Sequence, residues 1–176
     1  MTSPISDLIE RLKTEIPISS VIGLTVDRYE NGCLTLSVPL GKNINQQGTA
    51  FAGSLNATLT LAGWSLLWLI LKEANLEGGI VIQDSTIHYR QPVTTDFCAC
   101  CCKPEAAAIE KMLGTLRKRG KARVSLSAEI RQGGEAAVSF QGRYVVQAGS
   151  RVLSAPPAAG FEHRLSHQHG VKDTDE

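Results

Sequence analysis

Between Lys42 and Lys72 the sequence holds no charged side chain. Within that interval Ser54 to Leu71 is an uncharged run long enough to span a membrane as a helix. Its composition argues against that reading. Asn56, Thr58, Thr60, Gly63 and Ser65 dilute the hydrophobicity, and no cluster of Lys or Arg flanks one end. A helix apolar on all sides can instead be buried in a protein core, where it needs cover all round. Net charge is also lacking. Lys and Arg number 18 against 17 Asp and Glu, a formal +1, so nothing global attracts nucleic acid or anionic lipid. The opening MTSPISDLIERLK has neither a basic start nor a continuous apolar core, so no secretory signal is expected, and a cytoplasmic location is.

Five cysteines are present, and four of them crowd into FCACCC (Cys98, Cys100, Cys101, Cys102), with Cys33 alone. Paired C-x-x-C units are missing, which excludes a recognisable zinc framework. In a reducing compartment disulfides are not expected. If the run is a strand, Cys98, Cys100 and Cys102 share one face and Cys101 the other, and the residues read as small buried hydrophobes. Residues 150–176 are polar, interrupted by Pro and Gly, and without period, so they read as a disordered tail. His163, His167 and His169 in that tail read as solvated rather than metal-binding. No metal or resident cofactor is expected.

The rest of the chain is periodic. Ser3-Pro4 supplies an N-cap and a first helical residue, and Ile5, Leu8, Ile9, Leu12 and Ile16 follow at helical spacing until Pro17. Strands are expected at Ile22–Tyr29 and Cys33–Pro39, joined by Asn31-Gly32, a strong two-residue hairpin signal. A polar loop from Leu40 to Phe51 leads into a helix from about Gly53 to Ala74. Further strands are expected at Ile80–Tyr89 and Asp96–Cys102, then a helix at Pro104–Leu116. Ala122, Val124, Leu126, Ala128 and Ile130 alternate with polar residues in a half-buried strand. Gly133-Gly134 turns the chain back into Ala137–Val146, where Gly142 suggests a bend or bulge. Strands that do not alternate with helices make the class α+β with an antiparallel sheet, curved around the one apolar helix.

Four segments carry a resemblance: NINQQGTAFAGSL from Asn43, LAGW from Leu61, VIQDSTIHYRQPV from Val81 and FQGRYVV from Phe140. Together they are similar to the thioesterase domain found at the C-terminus of YiiD-type acetyltransferases and as free-standing proteins. The resemblance covers roughly residues 5 to 147. It implies a hotdog fold, here over residues 1–149. It implies a homodimer or dimer of dimers, with sheets joined edge to edge and sites between subunits. It also implies acyl-thioester substrates on CoA or on the phosphopantetheine of acyl carrier protein, with the acyl chain in a tunnel beside the central helix. Neither nucleic acid nor membrane is an expected partner.

Better-known hotdog thioesterases carry N-x-x-G-x-x-H-G-G and an acidic residue on the helix. Asn45 and Gly48 match that pattern, but Phe51 stands where its His would be and Thr60 where its acid would be. Ala52 stands where the family pattern more often has Gly.

Thioester hydrolysis needs donors for the oxyanion and a base or orienting partner for water. The free N–H groups at a helix N-terminus can supply the donors, which makes Gly53, with the Ser54 backbone, the oxyanion candidate. Gly53 could instead relieve a tight entry to the helix. Asn45, Asn56 and Thr60 are candidates to hold water, although Asn56 and Thr60 could equally bond back to the helix. Thr49 and Phe51 on the loop join them as candidate substrate contacts. Strict alternation in the strand after Gly79 puts Val81, Gln83, Ser85, Ile87 and Tyr89 toward the helix. Gln83 and Ser85 are then inward polar groups, and Asp84 and His88 point outward. Asp84 is the one acid in the central motifs, hence the base candidate, or else a surface acid. The basic run Arg117–Arg123 could meet CoA phosphates or be a solvated turn. A non-catalytic acyl-thioester binding module is the competing function. A dehydratase ranks last, because neither Phe51 nor Thr60 supplies its His and acid.

Overall fold

The computed structural model describes residues 3–149. The expected tail, with its three histidines, lies outside the described residues. Helix α1 (Pro4–Glu15) starts as its sequence dictates, with the Ser3 hydroxyl accepting the Ile5 N–H and Pro4 in the first turn. A four-residue helix, α2 (Ile18–Val21), follows where the sequence suggests the approach to a strand. Strand β1 therefore begins late, at Thr25, and runs to Glu30. Asn31 and Gly32 both adopt positive φ and turn the chain into β2 (Cys33–Val38).

Helix α3 (Ala52–Glu73) comes next, then β3 (Gly79–Tyr89) and β4 (Phe97–Cys102). Helix α4 (Ala106–Arg119) is longer than its apolar pattern suggests, because the basic run continues it to Gly120, which caps it in the left-handed conformation. Strands β5 (Lys121–Gln132) and β6 (Glu135–Gln147) complete a six-stranded antiparallel sheet in the order β1-β2-β4-β5-β6-β3. This is a hotdog-like α+β fold, with the sheet packed against α3.

Helix α3 is apolar enough for a membrane (mean hydropathy 1.4), but 72% of its apolar window is buried inside the protein. Leu59, Ala62, Leu66 and Leu67 have no or almost no exposed surface. They meet Leu34, Leu36, Ala99, Ile130 and Val138 from the inner face of the sheet in one continuous core. Complete burial of each large aliphatic side chain removes it from water at a gain of about 1.5–3 kcal/mol. The missing charge between Lys42 and Lys72 thus reflects a helix covered on nearly every side. One stripe is left more open, and it begins at Gly53 and Asn56.

Three expectations need correction. Cys33 and Cys102 face each other across β2 and β4 and are joined by a disulfide, so the thiols are not all free. Only Cys101 fits the small buried hydrophobe. It points inward as alternation requires, and burial pushes its thiol pKa up to about 12, helped by Cys100. Gly142 is not a bulge, since it pairs in register with Ser85. It is glycine because a Cβ there would stand 2.8 Å from the Phe140 ring and 3.0 Å from that of Tyr144. The bulge lies instead on β3, between Ile82 and Asp84.

Candidate active site

The loop before α3 is built on two asparagines. Asn43 is buried, and its amide donates to the carbonyls of Ile22 (2.9 Å) and Pro39 (2.8 Å). Its own carbonyl receives the Phe51 N–H at 2.7 Å. Sequence reasoning overlooked Asn43. The signal was its position as the first amide of N-I-N, the side of an alternating pair that turns inward. Its Oδ1 has no partner among the described residues.

Asn45 folds the tip. Its Oδ1 accepts the N–H groups of Gln47 (2.9 Å) and Thr49 (3.2 Å), and its Nδ2 donates to the Thr49 hydroxyl (2.9 Å). Both Asn45 and Thr49 therefore spend their polar atoms on the loop itself. The Ala50 N–H donates to the Val93 carbonyl at 2.8 Å and ties the loop to the segment after β3.

This framework delivers Phe51 as the residue before α3, with extended backbone and no side chain capping the helix. The first main-chain bond of α3 runs from Leu55 N–H to the Phe51 carbonyl. The N–H groups of Ala52, Gly53 and Ser54 precede it, and such first-turn donors have no partner within a helix. Ala52 and Gly53 are exposed, while Ser54 is buried. The helix therefore begins in an open ring of donors at its positive dipole end.

Glycine at position 53 has a further local reason. A Cβ there would lie 2.3 Å from Cε1 of Phe51, so the exposed ring already occupies the approach expected for a thioester carbonyl. Any ligand reaching these donors must share the space with that ring or move it.

Asn56 and Thr60 are brought together one turn further on. The Thr60 hydroxyl reaches Asn56 Oδ1 at 3.4 Å, a long contact that leaves both groups available to a third partner. Thr58 lies on the opposite, buried side and closes on the Ser54 carbonyl at 2.7 Å. It is structural. The polar residues in this apolar helix thus divide into a mouth (Asn56, Thr60) and a core bond (Thr58).

Strand β3 runs beside α3 in the opposite sense. At one end the Tyr89 hydroxyl donates to the Ala52 carbonyl (3.2 Å), and at the other the Trp64 indole N–H donates to the Ile80 carbonyl (3.3 Å). Tyr89, whose phenol pKa is raised by burial, is a second residue that sequence reasoning did not place at the mouth. Its inward side of the strand was the available signal.

The bulge reorders the strand's faces. Ile80 and Ile82 pair with the buried Val146 and Tyr144, and so share the inner face with Ser85, Ile87 and Tyr89. Gln83 is the extra residue. It does not aim at the helix, because its side chain accepts from Arg123 Nε at 3.0 Å, beyond the inner face. Ser85 does point inward, opposite Gly142. Asp84 points outward as alternation suggests, 3.6 Å from Arg143, with both side chains more than half exposed. One chain therefore gathers Phe51, Gly53, Asn56, Thr60 and Tyr89 around the start of α3, and it leaves Gln83 and Asp84 outside that group.

One turn beyond Thr60, a cavity of about 650 Å3 opens at Trp64, walled on one side by Trp68, Ile16 and Ile80 and rimmed by Arg11, Glu15, Gln83, Lys121 and Arg123, the last two shared with a neighbouring groove. Trp64 closes the LAGW segment of the resemblance, whereas no local pattern singles out Trp68.

Known proteins share this fold. Residues 5–148 match the family model described as putative thioesterase (yiiD_Cterm). A Shewanella oneidensis protein described as a putative thioesterase is 31% identical and superposes with a TM-score of 0.75. The match covers 84% of this chain and 99% of that one. A Chlorobaculum tepidum protein of unknown function is 29% identical with a TM-score of 0.78, over 81% of this chain and 93% of its own. A Pseudomonas aeruginosa protein described as a probable thioesterase shares the fold at 23% identity and a TM-score of 0.71, over 84% and 98% of the two chains.

Proposed function

The chain belongs to the yiiD_Cterm family of putative thioesterases, and from that membership we propose that it hydrolyses acyl thioesters carried on CoA or acyl carrier protein. One observation carries the reading. Helix α3 opens without a side-chain cap, its exposed first-turn donors stand one turn from Asn56, and Asn56 pairs with Thr60 a further turn along. Those donors receive the thioester carbonyl oxygen as it gains charge. Asn56 and Thr60 hold the attacking water. Asn45 and Thr49 keep the loop in shape, and Phe51 and Tyr89 shield the reacting group from solvent. The acyl chain runs along α3, past Ser85, into the cavity beside Trp64. Among the described residues of one protomer no carboxylate belongs to the mouth, so in this reading water is activated by hydrogen bonding and the oxyanion donors carry most of the catalysis. This reading gives Asp84, which faces outward beside Arg143, no part in the reaction within its own protomer.

The homodimer is part of the same proposal. Strand β3 is the sheet edge beside the mouth, with Val81 61% and Tyr89 48% exposed. A long unpaired edge strand that also exposes hydrophobic side chains calls for a partner, and a second β3 in antiparallel register would supply one.

The missing carboxylate favours a second reading, a module that binds acyl thioesters without cleaving them. A screen over short to long acyl-CoA and acyl-carrier-protein substrates, read by release of free acid, separates the two. Acid release above the buffer rate supports the hydrolase. Saturable binding without acid release overturns it in favour of the module. Sedimentation as a monomer at micromolar concentration would remove the shared edge.

A further inference from the structure

Helix α4 and the start of β5 meet in a groove of about 730 Å3, on the side of the protein away from Phe51. The sheet explains why a groove is there. Strand β4 pairs with β5 only from Ala128 to Ile130, so the first half of β5 has no strand on that side, and α4 packs there instead. Met112 and Leu116 fix the helix to the core.

The groove walls carry charge of one sign. Ala108, Lys111, Thr115 and Arg119 follow one another at helical spacing along the α4 side. Lys121, Arg123 and Ser125 alternate along the exposed side of β5. Four cations therefore face one depression, and among the described residues no acidic one lines it. Among the described residues none of the four is in an ion pair. Arg123 spends only its Nε, on Gln83, which leaves its terminal N–H groups for another acceptor. The floor between the cations includes Met112 and Val124. The groove thus offers several cationic donors and an apolar bed, the requirements of a ligand with a planar base and clustered phosphates.

We propose that this groove binds the nucleotide end of coenzyme A, its phosphate groups on Lys111, Arg119, Lys121 and Arg123 and its base over Met112 and Val124. The proposal rests on the thioesterase reading for the source of the nucleotide, and it selects CoA over carrier protein as the form in which the acyl group arrives. Strand β5 begins at the same end of the sheet as β3, where Lys121 and Gly79 both pair with Gln147. The mouth beside Tyr89 lies at the other end of β3. Antiparallel pairing of two β3 edges would bring the partner's mouth toward this groove, so the nucleotide and the thioester of one substrate would rest on different protomers.

The test has two arms, both on the full-length chain. In the first, adenosine 3′,5′-bisphosphate is titrated by calorimetry against wild type, Arg119→Gln and Lys121→Gln, and inorganic phosphate serves as the comparison probe. Binding should weaken about tenfold for each cation removed and further with added salt. Phosphate alone should bind far more weakly than the bisphosphate. Equal binding by wild type and both variants, or no saturable binding by wild type, overturns the proposal. This arm needs no turnover, so it stands even if the protein proves not to be a hydrolase. In the second arm, the ratio of kcat/KM for an acyl-CoA to that for the same acyl-pantetheine is compared in the three proteins. The ratio should fall about tenfold per cation. A ratio that does not move, while both activities persist, overturns the proposal and leaves the thioesterase reading intact. Circular dichroism is to check that both glutamine variants keep the wild-type fold.

Discussion

The hydroxyl of Tyr144 lies so close to Gly63 that a Cβ added there would stand 2.3 Å from its oxygen. The same hydroxyl donates to the Thr60 carbonyl at 2.8 Å, and Tyr144 itself is completely buried. Strand β6 therefore presses one aromatic ring against α3 directly beneath the candidate mouth. Burial holds the Tyr144 phenol far above its ordinary pKa, with a smaller push from Cys101, so it stays a donor at any physiological pH.

Gly63→Ala should destabilise the protein by about 1–3 kcal/mol, the usual cost of forcing a methyl group into a packed core. Tyr144→Phe should cost about 1 kcal/mol for the lost hydrogen bond. In the double variant the penalty for the added methyl should shrink only in part, because the oxygen is gone but the ring carbons Cζ and Cε2, 2.7 and 2.8 Å from the added Cβ, remain. Denaturant midpoints of the four proteins check this. Strict additivity would mean that the two residues do not meet in solution.

At the mouth, Gly53→Ala should lower kcat/KM by forcing the Phe51 ring off its place over the helix start. In a Phe51→Ala background the same substitution should cost far less. Single- and double-variant kinetics on one acyl-CoA decide the matter. An equal loss in both backgrounds would show that the backbone at Gly53, and not the ring, is what the alanine disturbs.

General-base assistance is typically worth about 10² to 10⁴ in rate. Asp84→Asn should change turnover by no more than about twofold, because the carboxylate sits on the outer face beside Arg143. Thr60→Asp should raise hydrolysis by about tenfold or more, since it puts a carboxylate beside Asn56, where the attacking water is held. A loss of about a hundredfold in Asp84→Asn with the fold intact would return Asp84 to the reaction.

Much of this arrangement was legible because its periods are unbroken. Alternation along β5 admits one reading, and the polar residues within the uncharged length of α3 decide for a core helix over a membrane span. The Asn31-Gly32 hairpin follows from the positive φ those residues tolerate. The register of β3 was not legible, since Ile80, Val81 and Ile82 offer an apolar residue to either face and a one-residue bulge at Gln83 then reverses the rest. Helix α2 was hidden because four residues, two of them β-branched, carry no helical period. The Cys33–Cys102 bond joins residues 69 apart, and only the adjacency of β2 and β4 brings them together. At the site, the donors of α3 were legible from Gly53, but Tyr89 and the Phe51 ring reach the mouth through tertiary packing that no local pattern encodes.

Away from the mouth, Glu73 ends α3 between two donors. It accepts from the Tyr29 hydroxyl at 2.7 Å and from Lys103. Partial burial would raise its pKa, but the hydrogen bonds from Lys103 and Tyr29 outweigh that and hold it below the ordinary 4.5. A depressed carboxyl contributes stability that is present above its unfolded pKa and is lost as pH falls through the folded one. Wild type should therefore lose stability below about pH 4.5 more steeply than Glu73→Gln. The effect should be modest, because the pair is partly solvated. Thermal melts of both proteins between neutral and acid pH test this, and identical pH profiles would remove the pair from the stability balance.

The bond between Cys33 and Cys102 encloses the loop before α3, α3 itself and all of β3 in one covalent ring. A protease that cut the exposed tip near Gln46 and Gln47 would open the backbone without releasing a fragment. The nicked protein would migrate as a single species until a reductant was added, and then as two. The oxidised protein thus carries a built-in tolerance to cleavage at the loop that bears its candidate mouth, and the reduced protein does not.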